Sequence, residues 1–362
     1  MKKYLVIYAI LIIILSMAGC NKKEAKEEET SQTQTFPSKE ETVKDIEEEV
    51  EEEKESIPKG HIKSRLTGLY VPEEIAHNRP YAIMLNNIKD ANPQSGIEEA
   101  SILYESLVEG GITRLMGIFE NIESTRIGSV RSARQYFASI ADEYDSILIS
   151  FGESSYATEK IAELKIDQLS GLSGEGGKVF YRDSSIKAPH NAFASKEGIL
   201  EGTRIRNYSR QYNKELENHF IFNDINTDLN SDQIANKVTL NYSKYTAPYF
   251  IYDKDQELYL RYQLGGEHLD ANTNKQLTFK NLIIQFVNGF SIDETRSFSF
   301  RNGTGEGYYI SNGKVEPISW EKDENTRKMI YYNSENKILS MNPGKTYISI
   351  FPGNSKENVI FE

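Results

Sequence analysis

Ser101–Glu120 reads SILYESLVEGGITRLMGIFE. Two apolar runs, Ser101–Val108 and Ile112–Glu120, flank Gly110-Gly111. That is the pattern of two antiparallel strands joined by a tight turn, because paired glycines accept the backbone angles such a turn needs. On the second strand, alternation puts Ile112, Arg114, Met116 and Ile118 on one face. An arginine on an otherwise apolar face must find a partner or sit at a pocket rim. Glu105 and Glu109 on the adjoining strand are the obvious partners, so Arg114 reads equally well as half of a structural ion pair and as a ligand clamp.

Outward from this hairpin the texture stays mixed. Tyr81–Asn86 (YAIMLN) predicts a strand, and Asn92-Pro93-Gln94-Ser95-Gly96 predicts a turn. Ser132–Asp142 predicts a helix, and Ser146–Phe151 a short buried strand ending at Gly152. Ser154 caps a predicted helix over Tyr156–Leu164. Residues 62–210 are therefore expected to form an α/β or α+β domain.

Beyond about Thr239 the helical pattern fades. Lys237–Asn241, Tyr249–Tyr252, Leu258–Gln263, Asn281–Val287, Ser297–Arg301, Gly307–Ser311, Lys328–Tyr332 and Tyr347–Phe351 are short and rich in β-branched and aromatic residues. Gly265-Gly266, Asn302-Gly303, Asn312-Gly313 and Pro343-Gly344 separate them. Residues 235–362 thus predict an all-β, sandwich- or barrel-like domain. The 22 tyrosines and 16 phenylalanines in 362 residues suit half-exposed sheets.

The N-terminus carries an address. Met1–Cys20 reads MKKYLVIYAILIIILSMAGC: a basic start, an apolar core, then small residues before the chain's one cysteine. This is a secretory signal with a lipoprotein-type cleavage site. An uncleaved membrane anchor has a similar length, but Ala18-Gly19 directly before a lone thiol favours cleavage and lipidation of Cys20. The rest of the chain would then work on the outer face of the cytoplasmic membrane. Residues 21–60 form an acidic tether: 14 acidic residues against 6 lysines between Asn21 and Pro58 account for most of the net charge of −12. The segment holds too few apolar groups to offset its ordering entropy and is expected to be a disordered spacer. No basic cluster has the size that nucleic-acid binding needs.

Polar residues concentrate at two places. The first runs from Glu105 and Glu109 through Arg114 to Arg126-Ile127-Gly128-Ser129-Val130-Arg131-Ser132-Ala133-Arg134. Guanidinium forks match phosphate and carboxylate, and the predicted helix opening at Ser132 would add free N–H groups. The competing reading pairs Arg131 and Arg134 with Glu105, Glu109 or Asp142. The second is Phe180-Tyr181-Arg182-Asp183 with Ala188-Pro189-His190-Asn191, where His190 is a candidate acid–base or anion-donor group. No second histidine stands at ligand spacing, so neither a metal nor a cofactor is expected. Ser129, Ser132 and Ser154 are the nucleophile candidates, and none lies in a recognisable elbow. Gly265–Asp270 reads as a hairpin turn, with His268 and Asp270 as lesser binding candidates. The glycine-rich 302–307 stretch opens no helix, which argues against a phosphate loop.

Several of these motifs together resemble the YerB-type bacterial lipoproteins. They are Arg79-Pro80, Asn86-Asn87, Pro93-Gln94-Ser95-Gly96, the Tyr104–Arg114 and Arg126–Arg134 runs, Arg182-Asp183 and Ala188–Asn191. In the second segment they are Tyr259, Arg261, His268, Asp270, Trp320 and Asn342-Pro343-Gly344. The chain departs from that family at Ser129, where proline is usual, and at Ala100-Ser101, where Ala-Asp is usual; the second change removes an acid. The resemblance implies a two-domain envelope lipoprotein without an established reaction. Arg114, Arg131, Arg134, His190, Asn191, Glu105, Glu109 and Arg182 are the expected binders of an anionic envelope ligand, with another envelope protein as the other possible partner. A looser similarity of pattern, an arginine-bearing loop after a hairpin, links the chain to the LytR–CpsA–Psr phosphopolymer transferases. It makes an enzyme acting on a phosphorylated or glycan wall substrate the alternative reading.

Cys20→Ala is expected to release or mislocalise the protein. An unchanged mass and an unchanged detergent partition would exclude lipidation.

Overall fold

A computed structural model describes residues 57–213, 220–292, 295–298, 303–323 and 327–362, with side chains in 289–302 left out. The signal, Cys20, nearly all of the tether, and Ser299–Asn302 of one expected strand and turn lie outside the described residues.

The first segment forms strands Tyr81–Asn86 (β1), Ile102–Leu107 (β2), Thr113–Phe119 (β3), Ile147–Ser150 (β4) and Gln168–Ser170 (β5). Its main helices are Gln135–Glu143 (α1), Ser155–Leu164 (α2) and Lys196–Ile205 (α3). The second segment supplies Lys237–Leu240 (β6), Tyr249–Asp253 (β7), Leu258–Gln263 (β8) and Asn281–Val287 (β9). Gly303–Ser311 (β10), Lys314–Lys322 (β11), Met329–Tyr332 (β12), Thr346–Pro352 (β13) and Val359–Phe361 (β14) complete it. This is an α+β segment followed by an all-β one, as the sequence predicts.

The expected β2–β3 hairpin is present. Its connection, Val108–Ile112, places Gly110 at φ 71° and Gly111 at φ 75°, angles that glycine adopts without a Cβ penalty. Pairing runs from Leu107↔Thr113 through Ser106↔Arg114 and Glu105↔Leu115 to Ile102↔Ile118.

Ten strands make one sheet in the order β12-β11-β10-β9-β13-β2-β3-β1-β4-β5. The two segments meet at β13. It runs parallel to β9 on one side and parallel to β2 on the other. The segments are distinct in sequence and composition but continuous in hydrogen bonding. β2, β3 and β9 are buried along their whole length, as central strands covered on both faces should be.

One face carries Tyr104, Met116, Ile118 and Ile348, packed against Tyr136, Phe137 and Ile140 of α1. The other face carries Leu103, Leu115, Phe119, Tyr347 and Phe351. Against it lies a second sheet in the order β8-β7-β6-β14 with short flanking pairs, contributing Val238, Leu240, Phe250 and Tyr259. The Phe250 and Tyr347 rings meet across this interface with centroids 4.7 Å apart.

Two expectations need correction. The helix expected from Ser132 begins at Gln135, with Arg134 as its N-cap. Residues 131–133 stay extended because their backbone bonds to neighbouring strand ends: Arg131 N–H donates to Met84 O and Ala133 N–H to Gly152 O. Strand β11 has no counterpart among the expected strands. Its Pro317 hides it, yet proline fits there, because β12 pairs only with Ser319–Lys322 and leaves that edge of residue 317 free of a ladder.

A chain ending at Lys345 lacks β13 and should give no cooperative melting transition by circular dichroism. A sharp transition near that of the full chain would mean that β13 is dispensable.

Candidate functional site

Glu105 and Arg114 sit on adjacent strands but on opposite faces. In the register above, Arg114 faces Ser106 and Glu105 faces Leu115. Period-2 alternation therefore sends Arg114 to the α1 side and Glu105 to the second-sheet side, and the anticipated Glu105–Arg114 pair does not form. Glu105 is fully buried, and so is its partner Arg261 of β8. Arg261 Nη2 donates to Glu105 Oε2 at 2.7 Å. Tyr347 OH also donates to Oε2 at 2.7 Å, while Thr113 Oγ1 (2.6 Å) and Asn87 Nδ2 (3.0 Å) donate to Oε1. Arg261 Nη1 further reaches Gln263 Oε1 at 2.9 Å and contacts His268 Nδ1. His268 Nε2 bonds Gln94 Oε1 at 2.6 Å. Burial, then the Arg261 charge, hold the His268 pKa well below its ordinary value. Glu105 and His268 are thus parts of an internal network, away from the arginine cluster.

That cluster lies on the α1 side. Arg114 is 5% exposed, and its protein acceptor is the Ser132 carbonyl, 2.7 Å from Nη1. Arg134 forks onto Glu109, with Nε–Oε1 at 2.6 Å and Nη2–Oε2 at 2.9 Å. The Arg134 hydrogen bonds and charge outweigh partial burial and hold the Glu109 carboxyl below its usual range. Arg131 Nη1 donates to Pro189 O at 3.2 Å, and its buried Nε has no partner. Asp142 serves Arg327 instead, at 3.4 Å. Three guanidiniums are thus grouped with one carboxylate, which Arg134 alone bonds. Burial first, then Arg134 and Arg131, lower the Arg114 pKa to about 9.

His190 adjoins the cluster through Pro189. Asn86, in register with Arg114, points its Nδ2 at His190 Nδ1, 3.0 Å away. Burial, then the Arg131 charge, lower the His190 pKa, so the ring is neutral near pH 7. Arg182 and Asn191 bond each other at 2.7 Å, and the Arg182 guanidinium lies 4.6 Å from the Phe151 ring centroid. Those two residues support the hairpin that carries His190.

Beyond His190 opens a cleft of about 300 Å³ lined by Asp90, Asn92, Arg126, Phe193 and Asn272 among others. Arg126 pairs with Asp183 at 2.7 Å and stacks on Phe193 at 3.7 Å. Asn92 and Asn272 were not singled out from sequence, and Arg126 and Asp183 were singled out but not as a pair; all four sit in loops, where spacing carries no signal. Among the described residues, no group of three or more His, Cys, Asp or Glu side chains converges as a metal site would.

Fold and site together define an α+β protein with two segments zipped by one strand, an internal ion-pair network and a desolvated arginine cluster. Residues 66–209 match "Protein of unknown function (DUF3048) N-terminal domain", and residues 238–348 match the corresponding C-terminal domain. The chain belongs to this family. It is 30% identical over 316 residues to "Putative lipoprotein YerB" of Bacillus subtilis (strain 168), an alignment covering 83% of this chain and 90% of that protein. The crystal structure of YerB protein from Bacillus subtilis is similar, with a TM-score of 0.74 at 28% identity, covering 83% of this chain and 99% of that one.

Arg261→Met should lower the unfolding free energy by about 3–5 kcal/mol, because Glu105 is left as a buried unpaired charge. A double-mutant cycle with Glu105→Gln should show a coupling above about 1 kcal/mol in urea titrations; additive losses would refute the pairing.

The His268 shift fixes the sign of a pH effect. Below the unfolded pKa the unfolded chain binds a proton that the folded His268 refuses. Stability should therefore fall as pH drops below about 6.5, by up to about 1.4 kcal/mol per pH unit. His268→Gln should flatten this slope in denaturation curves at pH 5 and 7. An unchanged slope would mean that His268 takes up its proton without loss of stability.

Proposed function

We propose that this protein is a lipid-anchored lipoprotein, attached through Cys20 to the outer face of the cytoplasmic membrane, that binds an anionic envelope ligand at Arg114, Arg131 and Arg134 with His190 alongside. The anchor rests on the Met1–Cys20 pattern and on the relative's name. Among the described residues no helix is long and apolar enough to cross a membrane.

The observation that carries the binding reading is the charge imbalance at Arg114. A guanidinium removed from water is costly unless it is paired. Arg114 is buried against one backbone carbonyl and faces two like charges, with Glu109 already held by Arg134. An anion placed among the three arginines would supply the missing acceptors and relieve the repulsion. Arg134 at the N-cap of α1 adds to the field, because a helix N-terminus already concentrates positive potential there.

Inorganic phosphate should raise the melting temperature of the full-length chain; at a hundredfold excess over its Kd the gain is about 2.7 kcal/mol. Arg114→Met should abolish that gain while leaving the ligand-free stability unchanged or higher by about 1 kcal/mol, since it removes an unpaired buried charge. A destabilised Arg114→Met protein, together with no phosphate shift in the wild type, would make the cluster structural.

A further inference from the structure

The cleft beyond His190 differs in kind from the arginine cluster beside it. Its one arginine is spent: Arg126 is paired with Asp183 and stacked on Phe193. Asp90 brings a negative charge to the lining, and neighbouring His190 is neutral. The cleft therefore has no spare positive charge and is a poor place for an anion. It does offer neutral hydrogen-bonding groups. Asn92 Oδ1 accepts from Gln263 Nε2 at 2.9 Å. Asn86 Nδ2 can only donate, so His190 Nδ1 is the acceptor of their 3.0 Å contact and Nε2 carries the proton. That N–H, on a residue that lines the cleft, is a donor for a ligand hydroxyl. Asn272 is fixed by its Nδ2 bonds to Arg126 O at 2.9 Å and Ser124 Oγ at 3.1 Å. That leaves its Oδ1, with the Asp90 carboxylate, as acceptors for hydroxyl protons. A volume of about 300 Å³ is at the small end for ligand sites, enough for a single ring.

A single hydrogen bond links the two sites. Arg131 donates to the carbonyl of Pro189, and the next residue, His190, lines the cleft. We propose that the cleft holds the uncharged, hydroxyl-bearing ring of a ligand whose anionic group sits on Arg114, Arg131 and Arg134. The ligand class is a sugar phosphate. This inference rests on the anion-binding reading and adds the second half of the ligand.

The test compares inorganic phosphate with glucose 1-phosphate by calorimetry on the full-length chain. Glucose 1-phosphate should bind at least tenfold more tightly. Ala271→Phe fills the cleft from an exposed position. It should erase that preference while leaving phosphate affinity unchanged. Equal affinity for the two probes, or a preference that survives Ala271→Phe, overturns the ring site while leaving the anion site standing. Failure of both probes to bind overturns both.

Discussion

A carboxylate and a guanidinium, both withdrawn from water, join the two sheets at Glu105 and Arg261. Such a pair contributes little net stability, because desolvation offsets most of the attraction. Its effect is on geometry. Each charge tolerates burial only when its partner and its remaining donors and acceptors are in place. Tyr347, Thr113 and Asn87 complete Glu105, while Gln263 and His268 attend Arg261. An apolar contact could slide by one residue along the interface at modest cost. A buried ion pair held by this many hydrogen bonds cannot. It fixes β8 over β2, which in turn positions the loops that carry Asn92 and Asn272.

The main sheet separates two kinds of charge. On the second-sheet side, the Glu105 and Arg261 charges are matched, and Arg261 Nε is left without a hydrogen-bond partner. On the α1 side, Arg114, Arg131 and Arg134 outnumber Glu109. Glu105 and Arg114 come from the same hairpin, one residue out of phase with each other. Alternation along β2 and β3 keeps a permanently paired acid apart from a site that is open to an exchangeable one.

Much of the architecture was legible locally. The Gly110-Gly111 hairpin, the Ser154 cap, the face shared by Arg114, Met116 and Ile118, and the spans Leu258–Gln263 and Asn281–Val287 all follow from short-range rules. Ser154 Oγ indeed accepts from Ala157 N–H. Long-range choices were not legible. The pattern LYLRYQ would send its leucines inward, yet Tyr259, Arg261 and Gln263 are the buried set, because Glu105 waits beneath them. Nothing local to Glu105 points to a partner 156 residues away. The cluster itself was visible as residue types, but which arginine meets which acid depends on the sheet face, and the register decides that. The start of α1 was misplaced for a related reason: residues 131–133 bond to strands distant in the chain.

The position of β13 also governs the order in which the chain can fold. Thr346 pairs with Ile102 and Ile350 with Ser106, so β2 keeps one edge unpaired until almost the whole chain is available. Contacts this distant in sequence are slow to form, and an open strand edge invites pairing with other molecules. During that interval Glu105 lacks Tyr347, one of its partners. A bare carboxylate in the middle of an apolar edge strand is one of the devices that block edge-to-edge association. The acid that later locks the sheets together thus protects the half-made sheet from pairing with the wrong strand while the right one is still to come.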